Sequence, residues 1–223
     1  MEPVTIRHHP EDDQLLALAA GTLPVGPRLV LQTHLELCPT CRSRVTALRA
    51  IGGALLDEAA AAPLQPGALA RTLQRIDQTE ALPPAPAVQR VSAPPPLPEG
   101  AMWPRALVHC TATRWRWIGP QMRWSRVSVP GAPEANVFLL RIGAGRYLPQ
   151  HTHRGTELTQ VIYGRFHDGR ALFGPGDFDT TDDAVHHQPV VQDGSECICV
   201  ASVEGRLHFD GFIARGLAAL AGM

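Results

Sequence analysis

Residues 82–100 read LPPAPAVQRVSAPPPLPEG, seven prolines in 19 positions. Proline fixes φ and carries no amide hydrogen, so neither a helix interior nor a central strand can run through such a segment. The chain must divide there. Residues 81–100 are expected to form a semi-rigid linker of polyproline character, with residues 1–80 before it and 101–223 after it, each long enough to bury a core of its own.

The two parts differ in period. Before the linker, apolar residues recur at helical spacing: Leu15, Leu18 and Ala19; Leu31, Leu35 and Cys38; Val45, Leu48, Ile51 and Leu55; Leu69, Leu73 and Ile76. Four helices are predicted, punctuated by Pro10, Gly21, Pro27 and Pro39, and a Gln65-Pro66-Gly67 break sets the fourth apart. After the linker come short runs rich in Val, Ile, Phe and Trp between Gly, Pro and Asp turns, at 136–142, 157–163, 170–173, 197–203 and 206–209. That texture is one of a β-sandwich or barrel, with residues 211–220 as a short closing helix. The expected class is α + β in two domains, a small helical metal-binding bundle followed by an all-β barrel.

Charge narrows the partners. The formal net charge is -1, and all 20 basic residues are arginine. Such a balance offers no footprint for a phosphate backbone or an anionic bilayer, so direct nucleic-acid and membrane binding are disfavoured. Residues 1–10 lack the apolar core of a signal peptide, and no stretch approaches the roughly 18 apolar residues of a membrane span. A cytoplasmic chain is expected. There, five cysteines stay free or bind metal.

Two constellations carry metal chemistry. In the first, His34-x3-Cys38 places two ligands on one helical face, and Pro39 breaks the helix so that Cys41 can close around the same ion. His8 and His9 are the candidates for a fourth ligand, with His9 preferred because it immediately precedes Pro10 at the mouth of the first helix. A closed two-histidine, two-cysteine shell leaves no position for water, so this zinc site is expected to be structural. In the second, His151 and His153 share one face of a strand, and Glu157 beyond the turn adds a carboxylate. A further ligand is expected from His186 or His187 after an acidic insertion of Asp179, Asp182 and Asp183, with His187 preferred. Imidazole and carboxylate would suit zinc, iron, manganese or nickel, so the metal is zinc or another divalent transition ion.

The run from His34 to Cys41, HLELCPTC, with His9 upstream, resembles the zinc-binding motif of bacterial anti-sigma factors. This resemblance implies a helical domain that lodges between two regions of an extracytoplasmic-function (group IV) sigma factor and blocks access to RNA polymerase, with Leu69, Leu73 and Ile76 facing the sigma factor. Gly145-x5-His151-x-His153-x3-Glu157-x6-Gly164 resembles the first cupin motif, and Pro175-Gly176-Asp177 the turn of the second. Together the two halves resemble the ChrR-type anti-sigma factors. That likeness implies a regulator and not an enzyme, whose cupin-like domain is needed to release the sigma factor when singlet oxygen or organic hydroperoxide is sensed. Cys197 and Cys199 fall where that family's barrel has cysteines, as a redox pair, further ligands or core. The alternatives are a cupin metalloenzyme, a dioxygenase or isomerase with His167 or His208 as acid or base, and a zinc-finger regulator that binds DNA itself.

Overall fold

The computed structural model describes residues 5–78, 94–153, 155–205 and 207–209. Four helices come first: α1 (Asp12–Ala20), α2 (Val25–Leu37), α3 (Pro39–Asp57) and α4 (Ala68–Gln78). Local chemistry sets their ends. A capping box between Glu11 and Gln14 opens α1, and Gly21, left-handed at φ 75, closes it. Cys38 caps α3 while Pro39 occupies its first turn, so the α2–α3 break falls inside the cysteine pair.

Twelve strands follow: β1 (Thr111–Ala112), β2 (Arg116–Gly119), β3 (Met122–Val129), β4 (Ala132–Ile142), β5 (His151–His153), β6 (Glu157–Tyr163), β7 (Phe166–His167), β8 (Leu172–Phe173), β9 (Phe178–Thr181), β10 (Val190–Val191), β11 (Cys197–Val203) and β12 (Leu207–Phe209). All of their pairings are antiparallel. The larger sheet runs β1-β3-β4-β11-β6-β9 with β2 beside β3; β10-β7-β8 and β12-β5 form smaller sheets. Gly164 turns out of β6 at φ 71, and a Cβ there would strike the Glu196 carbonyl.

Strand alternation sorts this sheet into two faces. Ile142, Val161, Cys197 and Cys199 turn to one side, onto Phe166, Phe173 and Val191 of the small sheet. Val137, Leu139, Leu158, Phe178 and Val200 turn to the other, where they meet Leu15, Leu18, Val30, Leu31 and Val45 of the helices. One core therefore runs from α1, α2 and α3 into the barrel, where the sequence predicts two separate cores. Contact is closest where α2 crosses β11: Gly26 lies so near Ser202 that a Cβ would collide with its hydroxyl. Behind α2, the Glu36 carboxylate accepts the amides of Arg105 and Ala106 at 2.9 and 2.5 Å, fastening a 3-10 turn at Arg105–Leu107 to the helix.

The expected linker lies largely outside the described residues. Its end is held on the barrel, since the Trp115 indole donates to the Pro96 carbonyl at 2.9 Å. The closing helix expected at 211–220 also lies outside them. Among the described residues, no single helix is long and apolar enough to cross a bilayer.

Candidate metal centres

The α2–α3 break brings four donors together. His34 from α2, Cys38 at the junction, Cys41 from the first turn of α3 and His9 from the N-terminal strap each place one ligand atom within 4.8 Å of all the others. His34 Nε2 lies 3.4 Å from Cys41 Sγ, and His9 Nδ1 lies 3.5 and 3.4 Å from the two sulfurs. A tetrahedral ion with bonds of about 2.3 Å to sulfur and about 2.0 Å to nitrogen spaces such donors about 3.5 Å apart. The donor set fits zinc. The His8 ring turns away and packs on Phe173 at 4.6 Å between centroids.

Protonation agrees with a cation here. The buried Nδ1 of His34 faces two acceptors, Gln160 Oε1 at 3.0 Å and the Gly176 carbonyl at 3.1 Å. It therefore carries the hydrogen and leaves a lone pair on Nε2, which points at the sulfurs. Burial lowers this imidazole to about 4, keeping it neutral and ready to ligate, against the raising effect of the Gln160 bond. Burial, with Cys38 beside it, pushes the Cys41 thiol up to about 12. A thiol raised in this way ionises only beside a positive partner, which a divalent ion supplies.

The second cluster lies across the sheet. A cavity of about 480 Å³, including its open mouth, is lined by His151, Glu157, Asp179, His187, Cys197 and Cys199 among apolar side chains. His151 and His187 pair as a β-bridge, bringing their Nε2 atoms to 3.2 Å. His151 donates from Nδ1 to the Pro149 carbonyl at 2.8 Å, so its Nε2 also presents a lone pair. One atom each from His151, Glu157 and His187 lies within 4.8 Å of the others. This all-nitrogen and oxygen set fits a divalent transition ion. His186 is exposed. The side chains of His153 and His208 lie outside the described residues. Burial raises Glu157 to about 7, with Asp179 adding to the effect and His187 opposing it.

Behind His187 stands a group that the sequence reading missed. Asp179, expected in an acidic insertion, is buried in β9 opposite Thr159 and accepts Arg170 Nη2 at 2.8 and 3.0 Å. Arg170 also donates from Nε to Asp168 Oδ2 at 2.6 Å, and its backbone amide and that of Ala171 bond Asp168 Oδ1 at 2.9 and 3.0 Å. Burial would raise Asp168, but His187, these amides and the guanidinium hold it well below the usual carboxylate range. Asp168 Oδ2 lies 3.9 Å from His187 Nδ1 and so backs that imidazole with negative charge. Only the Asp-Gly-Arg turn at 168–170 hinted at this group. Cys197 and Cys199 are reduced, 3.7 Å apart, and their proximity and burial push Cys199 upward. His167 is exposed and accepts the Gly169 amide at 2.9 Å, far from the role of a cavity acid or base.

Comparison with known proteins agrees with this architecture. The family model of the ChrR cupin-like domain matches residues 104–204. Anti-sigma-E factor ChrR of Cereibacter sphaeroides is 40% identical over 210 residues, covering 94% of this chain and 95% of that protein. A crystal structure of Rhodobacter sphaeroides SigE in complex with the anti-sigma ChrR contains a chain that matches 90% of this one over its entire length, with a TM-score of 0.68 and 40% identity. The helical part and the cupin-like barrel thus recur together in a protein of nearly the same length, and the chain belongs to the ChrR family of anti-sigma factors.

Proposed function

We propose that this protein binds an extracytoplasmic-function sigma factor in the cytoplasm and holds it inactive, with zinc at His9, His34, Cys38 and Cys41 shaping the binding half. The observation that carries this reading is α4. Leu69, Leu73 and Ile76 fall at i, i+4 and i+7 on an otherwise polar helix, yet they are 71, 52 and 63% exposed, and no residue of α4 is buried. A free apolar stripe of this kind is built to enter a groove on a partner. The named relative in complex with SigE supports a sigma factor as that partner. The closed zinc shell contributes structure and no reaction.

The barrel is the sensing half, a regulatory module and not an enzyme. Its cavity would hold a divalent transition metal on His151, His153, Glu157 and His187, and a bound ion would supply a centre that reacts with or responds to an oxidant. Cys197 and Cys199 line the same space, where an oxidant would meet them. Singlet oxygen or another oxidative signal is the proposed input. The test is co-purification of the full chain with the sigma factor, with metal quantified. A one-to-one complex that Leu73→Asp weakens about a hundredfold is expected. An undiminished complex with Leu73→Asp would remove α4 from the interface, and no complex with the unaltered chain would sink the reading.

A further inference from the structure

Strand β6 is a wall with a candidate metal cluster on each side. Glu157 and Thr159 face the cavity, while Leu158 and Gln160 face the helices. Gln160 is 1% exposed, and its amide nitrogen donates to the Val161 carbonyl at 3.0 Å, which leaves Oε1 turned toward His34. The second acceptor for His34, the Gly176 carbonyl, also belongs to the barrel.

The other histidine is held from the barrel as well. Asp177 Oδ1 accepts the backbone amides of Arg7 and His8 at 2.6 and 3.0 Å, and the Phe178 amide donates to the His8 carbonyl at 3.1 Å. Asp177 is itself braced by the Gly174 amide on Oδ2 at 2.8 Å. The strap that presents His9 is thereby pinned one residue short of the ligand. The helices alone place the two cysteines, through the α2–α3 break. The barrel orients the His34 ring and holds the strap that carries His9.

We propose that Gln160 and Asp177 are positioning residues for the histidine half of the helical zinc shell, so that the barrel sets how firmly that zinc is retained. The inference rests on the reading of His9, His34, Cys38 and Cys41 as a zinc shell. A ligating histidine whose other ring nitrogen is hydrogen-bonded is fixed in tautomer and orientation, and removing such a partner lowers metal affinity by about 10- to 100-fold.

The full-length chain carries the test. Zinc release to a chromophoric chelator and the thiolate-to-cobalt absorption of the cobalt(II)-loaded protein are compared for Gln160→Met, which keeps length and removes the acceptor, and Gln160→Glu, which keeps an acceptor. Cys38→Ser assigns the absorption to the helical cluster. At least about tenfold faster release and displaced cobalt bands are expected for Gln160→Met, with both restored toward the unaltered chain by Gln160→Glu. Should Gln160→Met fail to fold, Asp177→Ala against Asp177→Asn makes the same comparison on the His9 side. Unchanged release and bands in the folded Gln160→Met variant, or in Asp177→Ala where it replaces it, would overturn the inference while leaving the zinc shell intact. An unaltered chain with no thiolate-bound metal would overturn the zinc shell itself, and the inference with it.

Discussion

The helical cluster and the cavity cluster occupy opposite faces of β6 and follow different plans. On the helical side, four donors from three short segments close on one point, two of them thiols, with buried His34 locked in one tautomer. On the cavity side, imidazoles and a carboxylate share a space with Cys197, Cys199 and apolar walls. Thiolates and a full shell favour permanence, whereas a nitrogen and oxygen set beside open volume leaves room for a ligand to enter. Two such clusters, separated by one strand, share that strand as a common wall.

Removal of a thiol should show the largest effect. Cys38→Ser is expected to weaken zinc binding at the helical cluster on the order of a thousandfold, measured by competition, because a four-donor shell loses one anion. Cavity metal should be untouched; a parallel loss there would mean that the two clusters are less distinct than their chemistry.

The shared core comes next. Leu158 is fully buried against the helices, and Leu158→Ala should cost about 2 to 5 kcal/mol in urea unfolding. Every tryptophan lies at or after Trp103, so fluorescence reports the barrel and far-ultraviolet ellipticity the helices. Both probes should shift together in a single transition. A helical transition that stays in place would restore the picture of two independent cores.

Glu157→Gln should then lower metal affinity in the cavity about a hundredfold while zinc retention at the helical cluster remains, read by metal analysis after dialysis. Smallest is a pH effect on the same carboxyl. Burial raises Glu157 from 4.5 to about 7 in the metal-free chain, so protons compete with metal below that value. Cavity affinity should fall by up to about tenfold per pH unit below 7 and level off above it. The raised value also means that ionising Glu157 opposes folding, so metal-free stability should decline as pH climbs from 4.5 to about 7. Affinity that is flat across this window would place Glu157 outside the metal shell.

Much of the fold was legible because the informative segments were long. The three helices before α4 carry enough residues to display a period, and the runs at β4, β6 and β11 enough apolar residues to mark a strand. Two-residue strands such as β1, β7 and β10 can do neither. In the helical cluster, HLELCPTC was readable because three of the four clustered donors sit at one helix break. The choice between His186 and His187 turned on alternation.

What escaped was tertiary. Arg170 pairs with Asp168 inside its own turn and with Asp179 of β9, a grouping that the acidic run at 179–183 did not announce. Gln160 gave no sign in a chain read by spacing. One signal was available: β11 reads CICVASV without alternation, and all of its residues are buried. A strand apolar on both faces needs cover on both. The helices supply that cover on one face.

The proline-rich segment looks like a natural crossover point, where recombination could trade one barrel for another. The contacts across the sheet argue otherwise. A helical half spliced onto a foreign barrel would arrive with Gly26 facing an unmatched strand, the His34 Nδ1 hydrogen without Gln160, and the amides of Arg7 and His8 without Asp177. The halves must be inherited as a pair, and a working chimera would have to carry those barrel positions with it.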